Sequence, residues 1–189
     1  MSRYSALLDA NVLYPAPIRD LLLQLAVTDM YKARWTARIH EEWIENLLLN
    51  EPHRRREALE RTRDLMNEST RDALITNYEQ IIETLTLPDP DDRHVLAAAI
   101  VGRCDAIVTA NLKDFPEEVL SWFGIEAQHP DDFLCNQLHL SQGLFCRCVQ
   151  KVRNRLKNPP YAIDEYLEIL RRNGLVATAA ELRQFSNLL

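Results

Sequence analysis

A chain of 189 residues, 47% hydrophobic and 26% charged, can bury the core of one ordinary domain with a small appendage, and its composition excludes a disordered polymer. The net charge of −6 speaks against a general nucleic-acid surface, but it is unevenly placed: residues 1–140 carry 14 Lys and Arg against 24 Asp and Glu, and residues 141–189 carry 8 against 4. An acidic body with a basic tail fits a metal-dependent site beside an anion-binding surface, and it fits plain solubility equally.

In chain order, YSALLDA is a short apolar run stopped by a polar residue, the pattern of a buried strand. PAPIRDLLLQLAVTD has helical spacing, with prolines suited to a helix start. ARWTA reads as a second short strand. Thr36 then stands where an N-cap belongs, ahead of RIHEEWIENLLLN, whose apolar face is predicted as Ile39, Trp43, Leu47 and Leu48. Residues 53–80 are charged and read as helical, with Leu59, Met66, Leu74 and Ile75 available for burial. IIETLTLP carries no clean signal. RHVLAAAIVG is an Ala-rich helix, DAIVTA a strand, PEEVLSWFG a short helix, GIEAQ a last strand and PDDFLCNQL another helix start. The break at LHLSQG separates this body from a helical tail with IDEYLEILRRNG and TAAELRQFSNL. Domain boundaries of 1–140 and 141–189 follow. Strands alternating with helices imply an α/β sandwich with a central parallel sheet.

No apolar run approaches the roughly 18 residues of a membrane span. The start, MSRYSALLDANVLY, lacks the basic, apolar and small-residue segments of a secretory leader. The four cysteines, Cys104, Cys135, Cys146 and Cys148, have no metal-binding spacing, so a cytoplasmic chain with reduced thiols is expected. There is no phosphate-binding glycine loop and no hydrolase elbow. None of the histidines has metalloprotease or finger spacing, and His94 reads as a helix-surface residue.

What remains is a set of acids. Asp9 and Asn11 follow the first strand in LLDAN, and Thr109, Asn111 and Asp114 follow the DAIVT strand in VTANLKDF. Parallel sheets place their sites at the carboxyl ends of strands, so adjacent strands would bring these five together. Glu42 flanks the apolar stripe of its helix, which favours it over the neighbouring Glu41 and Glu45. Asp92 opens the Ala-rich helix. Asp89 and Asp91 beside it, like Asp92 itself, also suit a helix N-terminus, and Asp114 suits a turn before Pro116. Gathered carboxylates repel one another unless a cation sits between them. Hard divalent ions such as Mg²⁺ or Mn²⁺ favour such oxygen sets and promote phosphodiester hydrolysis.

Taken in order, the motifs LLDAN, TARIHEE, DPDDRHVLAAA and VTANLKDF resemble those of the PIN-domain ribonucleases, in particular the VapC-type toxins of toxin–antitoxin pairs, over about residues 4–135. The resemblance implies a PIN-like α/β/α sandwich and an Mg²⁺- or Mn²⁺-dependent endoribonuclease acting on single-stranded or loop RNA. It implies catalytic acids Asp9, Glu42, Asp92 and Asp114, metal ligands among Asp9, Asp92 and Asp114, and supporting polar groups Asn11, Thr36, Thr109 and Asn111. It also implies a homodimer and a small antitoxin partner. Asn111 stands where some relatives have an aspartate. The tail, with KVRNRLKNPP and EYLEILRRNGL, resembles a helical extension found in a subset of these toxins. Its Arg147, Lys151, Arg153, Arg155 and Lys157 suit RNA phosphate and suit a solvated face equally. A catalytically silent module that binds RNA or protein, and a structure-specific DNA nuclease, are the competing readings.

Overall fold

The structure, a computed structural model, describes residues 4–157 and 160–189. Residues 1–3 of the N-terminal segment and residues 158–159 of KVRNRLKNPP therefore lie outside the described residues. In chain order the elements are β1 (Ser5–Leu8), α1 (Ala10–Leu13), α2 (Ala16–Val27), β2 (Lys32–Arg34), α3 (Ala37–Asn50), α4 (Arg56–Ser69), α5 (Arg93–Val101), β3 (Ala106–Val108), α6 (Glu117–Leu120), β4 (Glu126–Gln128), α7 (Pro130–Leu140), α8 (Gln142–Arg155), α9 (Ile163–Arg172) and α10 (Val176–Arg183). Short 3₁₀ turns include Glu79–Thr84, Pro90–Asp92 and Leu112–Asp114.

The sheet has the order β2-β1-β3-β4, and every pairing is parallel. The central strands SALL and AIV are buried at every position, which requires cover on both faces. The fold is thus the predicted α/β/α sandwich with C-terminal helices. From β1 the chain steps outward to β2, then returns to place β3 on the other side of β1. That reversal opens a crevice at the carboxyl ends of β1 and β3. Ala97, Ala98 and Ala99 are fully buried on α5, which packs on β1 and β3; their small side chains let the helix approach closely.

Two compact units divide the chain: Met1–Tyr14 with Tyr31–His129, and Pro15–Met30 with Pro130–Leu189. The first holds the whole sheet. In the second, α2 packs on α8 and α9, while α10 packs on α7 and α9. This division follows packing and not chain order, and so differs from a cut at residue 140.

Two local expectations are corrected. Residues 53–80 are not one helix. α4 stops at Ser69, and Asp72 and Asn77 adopt φ of 56° and 62°, a left-handed backbone that no helix continues through. Between them the chain is extended beside Trp35, whose N–H donates to Ala73 O at 3.0 Å and whose O accepts from Ile75 N–H at 2.8 Å. Ile75 is consequently buried and Leu74 exposed. On α3, Ile44 is buried where Leu48 was expected, and Leu48 is only half-buried.

Candidate active site

Leu8 and Val108 are partners in register, so Asp9 and Thr109 leave adjacent strands side by side. Asp9 N–H donates to Val108 O at 3.1 Å, extending the ladder by one step. Its carboxylate is buried and held from three directions. Ala10 N–H donates to Oδ1 at 2.7 Å; Asn11 Nδ2 at 2.6 Å and Thr109 Oγ1 at 2.8 Å both donate to Oδ2. Asn11 also accepts, through Oδ1, from Ala110 N–H at 2.9 Å, so it ties the two strand ends together. Burial pushes the Asp9 pKa up, and the bonds from Thr109 and Ala10 oppose that shift. With one bond on Oδ1, a lone pair of that oxygen stays open.

Asp89, Asp92 and Asp114 form a second group: one oxygen from each lies within 4.8 Å of the others. Asp89 Oδ1 accepts from Asp91 N–H at 2.9 Å and so starts the turn Pro90–Asp92. Residues three apart eclipse in a 3₁₀ turn, which puts Asp89 and Asp92 on one side. Asp114 accepts a short hydrogen bond from Asn111 Nδ2. Asp92 stands at the start of α5 without a capping bond. Its pKa is pushed up to about 6, chiefly by burial and then by the charges of Asp9, Asp89 and Asp114. An acid that is half-buried, surrounded by acids and given no capping bond among the described residues is poised for a cation. The donor set is all oxygen, which suits a hard divalent ion of the Mg²⁺ or Mn²⁺ kind. The four cysteines are buried and free, in keeping with structural thiols.

Thr36 Oγ1 accepts from Ile39 N–H at 3.0 Å and so fixes where α3 begins. That start places Glu42, Asn46 and Asn50, each four residues apart, on one face of the helix. All three line a cleft together with Asp9, Asn11, Tyr14 and Asp92. Glu41 and Glu45 lie off this face, and both pair with Arg56. Glu42 Oε1 lies 2.9 Å from His94 Nε2 and 3.2 Å from Arg38 Nε.

Of the residues that the sequence singled out, Asp9, Asn11, Glu42 and Asp92 therefore share one cleft, Thr109 secures Asp9, and Asn111 holds Asp114. Thr36 is fully buried, and its hydroxyl is engaged in the cap. Asp9 is not among the three acids whose oxygens gather within 4.8 Å; Asp89 is. The sequence had offered Asp89 as a capping residue, and the eclipsing of positions three apart was the signal for its second role. His94 corrects an expectation outright. It is 2% exposed, because Val95 to Ala99 make α5 apolar all round and leave no solvent face near it. In the tail, Arg153 donates to Tyr161 O at 2.9 Å and Leu189 O at 3.0 Å, and Arg155 donates to Gln24 Oε1 at 2.6 Å, whereas Arg147 and Lys151 face solvent.

Comparison with known proteins matches residues 5–113 to a family described as PIN domain and residues 130–184 to one described as VapC50 C-terminal domain. Over 79 residues the chain is 42% identical to "Putative ribonuclease VapC50" of Mycobacterium tuberculosis (strain ATCC 25618 / H37Rv), covering 42% of this chain and 47% of that protein. The chain thus spans about half the length of the curated relative it matches. No solved structure matches it significantly.

Proposed function

The chain belongs to the PIN-domain family, and on that premise we propose that it is a divalent-metal-dependent endoribonuclease acting on single-stranded or loop RNA, the toxin of a type II toxin–antitoxin pair. The observation that carries this reading is the convergence of Asp89, Asp92 and Asp114 within 4.8 Å, around an Asp92 carboxyl that caps nothing, beside the secured carboxylate of Asp9. The name of the relative supports RNA as the substrate.

Asp92, Asp114 and Asp89 would hold Mg²⁺ or Mn²⁺, with the open Oδ1 lone pair of Asp9 as a further donor. When bound, such an ion makes water more acidic and offsets the charge that builds on the scissile phosphate. The chain's own groups do the rest. Asn11 and Thr109 fix the direction of the Asp9 carboxylate, and the bond from Thr109 favours its charged form against the effect of burial. Glu42 lines the same cleft and would accept a proton from the attacking water. Asn46, Asn50 and Tyr14 give the cleft a neutral rim suited to sugar and base, where more carboxylates would repel RNA.

The acidity of the cleft also suits an antitoxin segment that presents Arg or Lys to it. The working form is placed in the cytoplasm as a homodimer, in keeping with the family resemblance. No helix among the described residues is long and apolar enough to cross a membrane.

The test is cleavage of labelled single-stranded RNA and of flap DNA by the purified protein with Mn²⁺, with EDTA, and by the Asp9→Asn variant with Mn²⁺. RNA should be cut in the first condition alone. Equal cutting in all three would expose a contaminant, preference for the flap would make it a DNA nuclease, and RNA binding without cutting would make it a silent module.

A further inference from the structure

His94 is a buried histidine on the same helix turn as Asp92, and its contact lies on another helix. Its Nε2 is 2.9 Å from Glu42 Oε1, while Nδ1 is buried and has no hydrogen-bond partner among the described residues. That asymmetry fixes the tautomer. A proton on Nδ1 would be an unpaired buried donor and would turn the Nε2 lone pair against a carboxylate oxygen; a proton on Nε2 removes that repulsion and leaves only an unpaired acceptor at Nδ1. The ring therefore turns its Nε2 proton towards Glu42 in a polar contact of 2.9 Å.

We propose that His94 is a positioning residue of this site, holding Glu42 by Oε1 so that Oε2 is presented to the cleft. The catalytic meaning of the inference rests on the ribonuclease reading; the contact itself rests on the 2.9 Å separation alone. Glu42 needs such a hold. It shares the cleft with Asp9 and Asp92, whose charge drives a flexible glutamate away. Its other partner, Arg38, lies four residues earlier on the same helix and is 48% exposed, a solvent-screened pair that binds the carboxylate without fixing its direction. His94 differs on both counts. It is buried and rigid, and it reaches Glu42 from α5, the helix that Asp92 opens. One close polar contact thus links the acid of α3 to the turn that carries the acid of α5. Packing alone gives no reason for a histidine here, since an aliphatic side chain would fill the space without leaving Nδ1 unpartnered.

Three substitutions separate position from packing. His94→Leu keeps the bulk and removes the donor, His94→Gln restores a donor at similar reach, and Glu42→Gln removes the acceptor's charge. In the metal-free protein at neutral pH, ¹⁵N-edited NMR should show a slowly exchanging imidazole N–H from His94 that shifts in Glu42→Gln. In RNA cleavage with Mn²⁺, His94→Leu should lower kcat about tenfold or more with KM nearly unchanged, the size that misplacement of a reacting group produces. His94→Gln should recover most of that loss. In the Glu42→Gln background, His94→Leu should cost nothing further. Independent losses that multiply, or an imidazole N–H indifferent to Glu42, would overturn the proposal. Should the wild-type protein cut no RNA, the ribonuclease reading falls on its own, and the NMR signal still decides the bond. Should His94→Leu fail to fold, the same signal and the His94→Gln variant decide it.

Discussion

Each oxygen of Asp9 has a named donor: the backbone of Ala10 at Oδ1, and at Oδ2 two residues that the sequence had marked, Asn11 from its own strand end and Thr109 from the neighbouring one. The D-x-N and V-T-x-N motifs were legible because strand ends in register bring such residues together by rule. His94 was not, because its partner depends on which helix faces which, and no spacing along the chain reports that; Asp89 offered only its spacing of three from Asp92. A second buried histidine shows how much one tautomer can hold. His40 is 1% exposed, its Nδ1 accepts from Trp43 Nε1 at 3.0 Å, and its Nε2 lies 3.2 Å from Asn67 Oδ1, which also accepts from Trp35 Nε1 at 2.7 Å. Both indoles are thus tied to one neutral ring. Burial lowers the His40 pKa to about 4, below the roughly 6.5 of an unfolded chain. A depressed histidine contributes stability above its unfolded pKa and loses it as the pH falls through the folded value. Between about pH 6.5 and 4 the protein should therefore lose on the order of 2–3 kcal/mol through this ring. Urea unfolding at pH 7 and pH 4.5 checks this: the loss should shrink in His40→Gln, and an equal loss in both proteins would assign it elsewhere.

Among the elements, α3 shows what a cap contributes to a site. The bond from Ile39 N–H to Thr36 sets the phase of the helix, and the phase decides that Glu42 lines the cleft while Glu41 and Glu45 pair with Arg56. That much could be read from Thr36 and the apolar stripe. The end of α4 could not, since a charged segment with helical propensity is halted by its pairing to Trp35, far away in the chain. Asp131 makes the same point in the second unit. By sequence it is a first-turn acid of α7, yet its carboxylate serves α10: it accepts from Ala177 N–H and Thr178 N–H, both at 2.8 Å, and from Thr178 Oγ1 at 2.7 Å. A buried carboxylate at the start of a helix also meets the positive end of its dipole. Asp131→Ala should cost about 2 kcal/mol or more, since it removes the acceptor and leaves buried donors unpaired. Metal affinity should not change, because the residue belongs to the other unit. Calorimetric unfolding and Mn²⁺ titration of the variant check both halves; an unchanged melting temperature would contradict the first.

At the scale of the molecule, the parallel sheet was legible from the alternation of strand and helix, whereas the adjacency of its first and third strands was a condition that the structure supplies. The assignment of α2 to the unit that holds the tail was not legible either, because amphipathic spacing gives a helix an apolar face without naming the surface that covers it. The sheet sets the frame of the site. The order β2-β1-β3-β4 opens the crevice, strand register aligns Asp9 with Thr109, and the loops after β3 and before α5 bring Asp114, Asp89 and Asp92 together. All of this turns on whether these acids are gathered to hold a cation. The most direct test is calorimetric titration of Mn²⁺ into metal-free protein and into a folded Asp92→Asn variant. Saturable heat in the wild type that is lost in the variant is the predicted result. Equal heats in both, or none in either, would show that the acids gather for some other reason.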